Sequence, residues 1–322
     1  LGNPPLRSAN ALGASATGMT TSADPARLGA VEAASAIAAG TLGVQEFLDA
    51  LMARIDARDG EISAWACLDA EGAWSRAREL DRHAATGPLH GVPVGVKDVI
   101  DVQGIPSAYG SPAFAANIPQ RDAACVARLR RAGALILGKT VTAKFATYSP
   151  GPTRNPRDPS RTPGGSSSGS AAAVADCQVP LALGTQTAGS VIRPASFCGI
   201  FGFKPSFGRY EIEGMLPTAP SLDTLGTFAR SVADIALLDA VLAGEAHIGL
   251  PVPRVTGIAI CRSPTWQQAS PDMRRALEDA GARLAQSGAS VRELDLGAQF
   301  EGLAEAQAVL HRHEAFRCLG EI

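Results

Sequence analysis

Two clusters of small residues constrain this chain more than any other feature. The first, Gly164-Gly165-Ser166-Ser167-Ser168-Gly169, is a Gly/Ser loop. The second, Gly184-Thr185-Gln186-Thr187-Ala188-Gly189-Ser190, is predicted to be a tight turn, and Ser190 follows Ser166 by 24 residues. Between them, Ser170 to Asp176 reads as a short helix, because alanine has the best helix propensity. Val179 to Leu183 reads as a buried strand. A Gly/Ser loop by itself is a linker. A linker joins independent units, however, whereas this loop runs directly into a core-like helix and strand. Small residues let the backbone approach a ligand closely. Consecutive N–H groups in such a turn can converge on an oxyanion, and a serine at its end is placed to attack a carbonyl.

A nucleophilic serine needs a base. The five histidines, His83, His90, His247, His311 and His313, all lie outside the small-residue turns, so a Ser-His-Asp arrangement has no obvious member. The alternative is a lysine made neutral by burial. The run Gly91-Val92-Pro93-Val94-Gly95-Val96-Lys97-Asp98 places Lys97 at the end of an apolar strand, where desolvation lowers its pKa. Asp98 is adjacent in sequence, but neighbouring strand residues point to opposite faces. A structural role for Asp98 is therefore expected.

The segments GGSSSGSAAAVA, GTQTAGS followed by V-I-R-P-A, and GVPVGVKD, with their serine spacing, closely resemble the amidase signature hydrolases. The resemblance runs from about Val31 onward. It implies an α/β fold with a mixed, largely parallel sheet covered by helices on both sides. It also implies a Ser–cis-Ser–Lys triad, with Ser190 as nucleophile, Ser166 as the bridging serine after a cis peptide, and Lys97 as base. Backbone N–H groups of Thr187, Ala188, Gly189 and Ser190 would form the oxyanion hole. The family more often has Asp at Gln186 and Gly at Ala188. Alanine keeps its N–H, and glutamine removes a negative charge near the substrate; Gln186 and Arg193 are the candidate substrate contacts. Arg193 lies three residues after Ser190, an arrangement similar to malonamidase-type members in which this arginine reads a carboxylate. A guanidinium suits a carboxylate bidentately; the other reading is a structural arginine that bonds loop carbonyls.

Composition narrows the partners. Net charge is −2 and aromatics make up 5 %, so neither a nucleic-acid footprint nor a base-stacking platform is present. No apolar run reaches the roughly 18 residues that a membrane span needs. The cysteines, Cys67, Cys125, Cys177, Cys198, Cys261 and Cys318, are widely spaced without C-x-x-C. They read as small buried hydrophobes in a reducing, cytoplasmic setting. No metal or cofactor is expected.

Taken in order, residues 1–25 read as disordered and 26–322 as one amidase signature domain. Met19 is a candidate start, and no secretory leader is recognised. Helices are expected from Leu28 to Gly40, then after Thr41 as its cap, with Phe47, Leu48, Leu51 and Ile55 inward. Ile62 to Leu68 is predicted as a strand, Ala70 to Ala85 as a helix and Asp122 to Ala132 as a helix. Family helices in the N-terminal layer often carry a dimer contact, so a homodimer is one expectation. Gly133 to Thr140 fits the phosphate-loop pattern letter by letter. Its middle residues are themselves a core strand, which cannot wrap a phosphate. Phe197 to Lys204, which includes the apolar run Ile200 to Phe203, is predicted as a buried strand, and Gly226 to Leu242 as loop then helix. Val255 to Cys261 is expected as a strand, Pro271 to Ser287 as a helix and Val291 to Leu296 as a strand. Glu301 to Ile322 is an uncapped helical pattern. His311 and His313 on it do not share a face. Family members continue further, so the chain reads as truncated.

The function implied is hydrolysis of a small amide to a carboxylate and ammonia through a Ser190 acyl-enzyme. Two rivals stand beside it: the amidase subunit of a tRNA-dependent amidotransferase, and a non-catalytic fragment.

Overall fold

The computed structural model describes residues 24–246, 249 and 257–320. The expectations for residues 1–23, for His247, for Val255 and for Ile322 lie outside them. Order is already present at Asp24, whose carboxylate accepts from Ala26 N at 3.1 Å and caps a short 3-10 turn, Pro25–Arg27. Asp24 and Pro25, read from the sequence as part of a disordered segment, are therefore ordered.

Helix α1 spans Ala30–Ala38 and α2 Val44–Ile62. Thr41 does not cap α2. Its hydroxyl donates back to the Ala36 carbonyl, while the carboxylate of Asp81 takes the N–H groups of Val44 and Gln45 at 2.7 and 3.0 Å. The cap comes from 36 residues later in the chain, beyond the reach of a local reading. Strand β1 is Trp65–Leu68; Ile62 closes α2 and Ser63 turns left-handed, so the predicted strand starts three residues late. Helix α3, Ala70–Leu80, is shorter than predicted. Strand β2 is Pro93–Lys97, α4 Ala124–Arg131 and β3 Leu135–Thr140. Helix α5 is Ser168–Ala175 and β4 Leu181–Gln186. Helix α6 is Ile192–Cys198, β5 Phe201–Phe203 and β6 Thr224–Ala229. Helix α7 is Val232–Ala243, β7 Gly257–Cys261, α8 Pro271–Gln286, β8 Ser290–Leu294 and α9 Leu303–Leu319.

Six strands form one sheet in the order β1-β3-β2-β4-β6-β5. The centre, β3-β2-β4, is parallel, and the flanking pairs β1-β3, β4-β6 and β6-β5 are antiparallel. The sheet is mixed, as expected, with its parallel part confined to the middle. Alternation along the strands splits the core in two. Leu181 and Leu183 of β4 pack with Val94, Val96, Val126 and Leu129. Ala182 packs with α5 and with Leu48, Leu135 and Leu137. Two strand readings need correction. Of the predicted buried strand at Phe197 to Lys204, Phe197 and Cys198 close α6, and Phe201–Phe203 forms β5, an edge strand with Phe201 exposed. The predicted loop before α7 is in fact β6, all six of whose residues are buried.

Helix α5 lies tight against the sheet. A Cβ at Gly169 would run into the Ala64 carbonyl and the Val141 amide, so only glycine lets the first turn sit there. The P-loop-like letters end in β3. Lys139 is buried within the sheet, its Nζ bonded to Ser107 Oγ at 2.5 Å and 3.5 Å from Asp98. A strand occupies the place where a phosphate loop would have to be.

Elements β7, β8, α8 and α9 form a thinner unit. Its two strands are parallel, and Gly281 is the one buried residue in α8, while α9 buries none. No described helix is long and apolar enough to cross a membrane.

Candidate active site

The site is assembled from three segments. Lys97 ends β2, fully buried on a strand whose neighbours β3 and β4 are both parallel to it. Ser166 sits in the Gly/Ser loop just before α5, after a cis Gly165–Ser166 bond, and its carbonyl accepts from Ala143 N at 3.0 Å. Lys97 Nζ is 2.8 Å from Ser166 Oγ. It is also 2.8 Å from Thr185 Oγ1 and 3.5 Å from the Thr185 carbonyl.

Burial pushes the Lys97 amine down to about 7, against the opposing pull of the Asp223 carboxylate. A neutral amine has two N–H groups and one lone pair. Thr185 offers two acceptors, Oγ1 and the carbonyl. The two N–H groups can both go there, which leaves the lone pair for the Ser166 hydroxyl proton.

Strand β4 runs on through Gln186, three residues into the stretch read as a turn, and the turn proper is Thr187 to Val191. Gly184 must be small: a Cβ there would stand 2.6 Å from Phe228 and 2.8 Å from Ser167 Oγ. Ser167 ties the two segments, with its hydroxyl donating to the Thr185 carbonyl at 3.2 Å and its N–H to the Ser190 carbonyl at 3.4 Å. The backbone of Ser190 is thereby held beside the cis-serine loop, and Ser190 is 9 % exposed. Its hydroxyl has no hydrogen-bond partner among the described residues. The N–H groups of Thr187, Ala188, Gly189 and Ser190 likewise find no acceptor among them.

Gln186 is committed to the turn itself. Its Oε1 accepts from Val191 and Ile192 N–H at 2.8 and 3.0 Å, and its Nε2 donates to the Ala188 carbonyl at 2.9 Å. Arg193 is exposed, and its Nε and Nη2 donate to the Gly165 carbonyl at 2.9 and 2.6 Å. That is the loop-carbonyl contact of the structural reading. The same side chain borders a cleft of about 300 Å³ beside Ser166, with Tyr148, Pro150, Pro163 and Phe197 as its apolar walls. A larger hollow of about 800 Å³ by Pro217 and Phe316 lies against α9 and contains no comparable cluster.

Two residues escape the sequence reading. Thr185 resembles part of a turn, yet it continues an apolar strand toward the lysine. Asp223 is buried, accepts from the N–H groups of Thr218 and Ala219 at 2.7 and 2.8 Å, and from Thr187 Oγ1 at 2.5 Å. It pins the start of the Thr187 to Val191 turn. No sequence signal ties it to that turn. Asp98 takes the Ala108 and Gly110 N–H groups at 3.1 and 3.0 Å and faces Lys139, away from Lys97. No described histidine is hydrogen-bonded to Ser166 or Ser190: His90 is buried against the Leu80 carbonyl, and the His311 ring lies 6.4 Å from that of Tyr148 on the cleft wall.

Comparison with known proteins agrees with this architecture. The amidase family model matches residues 46–317, and the chain belongs to the amidase signature family. The A subunit of the glutamyl-tRNA(Gln) amidotransferase from Acidothermus cellulolyticus is 41 % identical over 297 residues, which cover 84 % of this chain and 59 % of that protein. The protein of the same name from Anaeromyxobacter sp. strain K is 44 % identical over 68 % of this chain and 46 % of its own. This chain thus spans under two thirds of the length of these relatives. Among solved structures, a crystal structure of an amidase superposes with TM-score 0.83 at 36 % identity, over 91 % of this chain and 69 % of that one. The native peptide amidase of Stenotrophomonas maltophilia gives 0.81 at 32 % identity, over 91 % and 67 %.

Proposed function

We propose that this chain hydrolyses a small amide to a carboxylate and ammonia, with Lys97, Ser166 and Ser190 as the catalytic residues. The observation that carries the reading is the buried lysine, 2.8 Å from Ser166 Oγ and pushed down to about 7. At that pKa about half of the lysine is neutral at pH 7, against about one in 3,000 at an ordinary value. Ser190 Oγ attacks the carbonyl, Ser166 takes its proton and passes its own to Lys97. The C–N bond breaks as the proton returns to the leaving ammonia. Water then cleaves the Ser190 ester by the same relay in reverse. The unpaired N–H groups of residues 187–190 suit the oxyanion.

Gln186 and Arg193 act in this reading as braces of the two serine loops. Arg193 keeps its Nη1 for a substrate carboxylate, the malonamidase-type specificity, and Tyr148 and Phe197 receive the apolar part of the substrate. No disulfide joins the described cysteines, of which Cys125 and Cys198 are buried and Cys261 is exposed, and that fits a reducing, cytoplasmic setting. A second reading, the amidase subunit of a tRNA-dependent amidotransferase, is favoured by the names of the curated relatives. A homodimer through the N-terminal helices is a further expectation taken from the family.

The test is ammonia release from neutral and carboxylate-bearing amides and from glutamine, with Ser190→Ala as control. Preference for acidic amides that Arg193→Ala erases supports the carboxylate role, and equal loss on both assigns Arg193 to loop structure. Release from glutamine alone, rising when the remaining subunits of an amidotransferase are added, selects the second reading. No release above the Ser190→Ala control from any amide, or fluorophosphonate labelling at a serine other than Ser190, overturns the proposal.

A further inference from the structure

Away from the serines, five arginines line one cavity at the opposite end of α5. The hollow, about 590 Å³, is bordered by Arg27, Arg54, Arg58, Arg157 and Arg230, with Asp176 as the acid on its wall. It is separated from Ser166 by the length of α5, about 12 Å for eight residues at 1.5 Å each.

The guanidiniums are fixed largely by neutral groups. Arg230 donates to the carbonyls of Val174, Val179 and Leu28 at 3.1, 3.0 and 2.6 Å. Arg157 donates to those of Cys198 and Gly199, both at 3.0 Å. Backbone carbonyls orient a cation without cancelling its charge. Asp176 accepts from Arg54 at 2.8 Å and from Arg58 at 3.4 Å, and its other oxygen takes Gln178 at 3.1 Å. Glu61 and Asp24 touch Arg58 and Arg27 at 2.6 and 3.7 Å. Among the described residues Arg27, Arg54 and Arg58 each touch a carboxylate, whereas Arg157 and Arg230 touch none.

Donors are left over too. A guanidinium has five N–H groups. Arg54 Nη1, Arg58 Nη2, Arg157 Nη1 and Arg230 Nε have no acceptor among the described residues. Like charges gathered around one hollow, with spare planar donors, are relieved by an anion that can accept several of them. Arg forks match phosphate oxygens bidentately. Among the described residues no aromatic ring borders the hollow, so none of them would stack a base. Its volume lies within the roughly 300–1,000 Å³ of small-molecule sites, more than one orthophosphate fills.

We propose that this cavity binds a compact diphosphate-type anion through its oxygens. The site and the serine centre are separate, so neither depends on the other being correct. Calorimetric titration of the chain with pyrophosphate, orthophosphate and AMP, at a fixed ionic strength near about 0.15 M, tests it. Pyrophosphate is expected to bind saturably with one-to-one stoichiometry, and more tightly than the other two. Arg27→Ala, at a mostly exposed side chain whose loss cannot unfold the core, and Arg58→Gln should each weaken it about tenfold. Absence of saturable pyrophosphate binding up to about 1 mM overturns the proposal. So does undiminished affinity in both variants, or orthophosphate binding as tightly as pyrophosphate.

Discussion

Replacing Lys97 with methionine is expected to end turnover and yet relieve the fold. The amine falls from the ordinary lysine value of 10.5 to about 7 on burial. Between those two values the unfolded chain holds a proton that the folded chain has lost. Stability of the parent protein therefore rises with pH through this window, and below about pH 7 the penalty is constant. At 1.36 kcal/mol per pH unit the penalty is about 4 kcal/mol at pH 7 and about 2 kcal/mol at pH 9. Methionine has similar length and no charge, so it escapes the penalty at both. It also strips a partner from Ser166 Oγ and Thr185 Oγ1, which costs about 1–3 kcal/mol. That cost does not vary with pH over this range. The stability of Lys97→Met relative to the parent should thus decline by about 2 kcal/mol from pH 7 to pH 9. Denaturant unfolding followed by the fluorescence of Trp65 and Trp74, at pH 7, 8 and 9, reads this directly. A difference that stays flat across the three pH values would refute neutralisation of Lys97 by burial, whatever its sign at pH 7.

Three further outcomes follow from the same geometry. Under the proposed function the base is the neutral amine, so kcat/KM should climb through about pH 7 and level off above it; a profile flat from pH 5 to 9 would contradict that assignment. Thr185→Val removes one acceptor of the Lys97 N–H groups, an acceptor that favours the charged form. It should lower kcat/KM about tenfold and move the rising limb to lower pH, and Thr185→Ser should restore both; an unmoved limb would reduce Thr185 to packing. Amide hydrogens of α8 and α9, where Gly281 is the one buried residue, should exchange well before those of β2 and β4; equal protection would show that the thin unit shares the stability of the main sheet.

The site is legible in the sequence where chemistry and local pattern coincide. An apolar run ending in Lys97 announces a buried lysine, and small-residue clusters announce the two serine loops. The rest is hidden for physical reasons. Strand β6, TLGTFA, mixes threonine and glycine with apolar residues, so no period stands out, yet all six of its residues are buried and it pairs with β4 on one side and β5 on the other. Ile62 continues the apolar stripe of α2, although its neighbours on the C-terminal side read as strand. Thr185 and Gln186 have turn-like side chains but strand backbone, because pairing with Leu225 and Thr224 of β6 holds them extended. Asp81 and Asp223 act on segments about 36 residues away, a distance that no local pattern covers.

The back of the sheet has a consequence for the front. Slipping β2 by one residue would send every one of its side chains to the opposite face. Asp98 would then be turned toward Ser166, and Lys97 away from it. The same slip would leave Lys139 buried with its carboxylate gone, and the amides of Ala108 and Gly110 without their acceptor. A misregistered sheet is therefore penalised on the face that does no chemistry. The Asp98–Lys139 pair acts as a proofreading device for strand alignment, so that a chain able to fold stably is also one whose Lys97 has arrived beside Ser166.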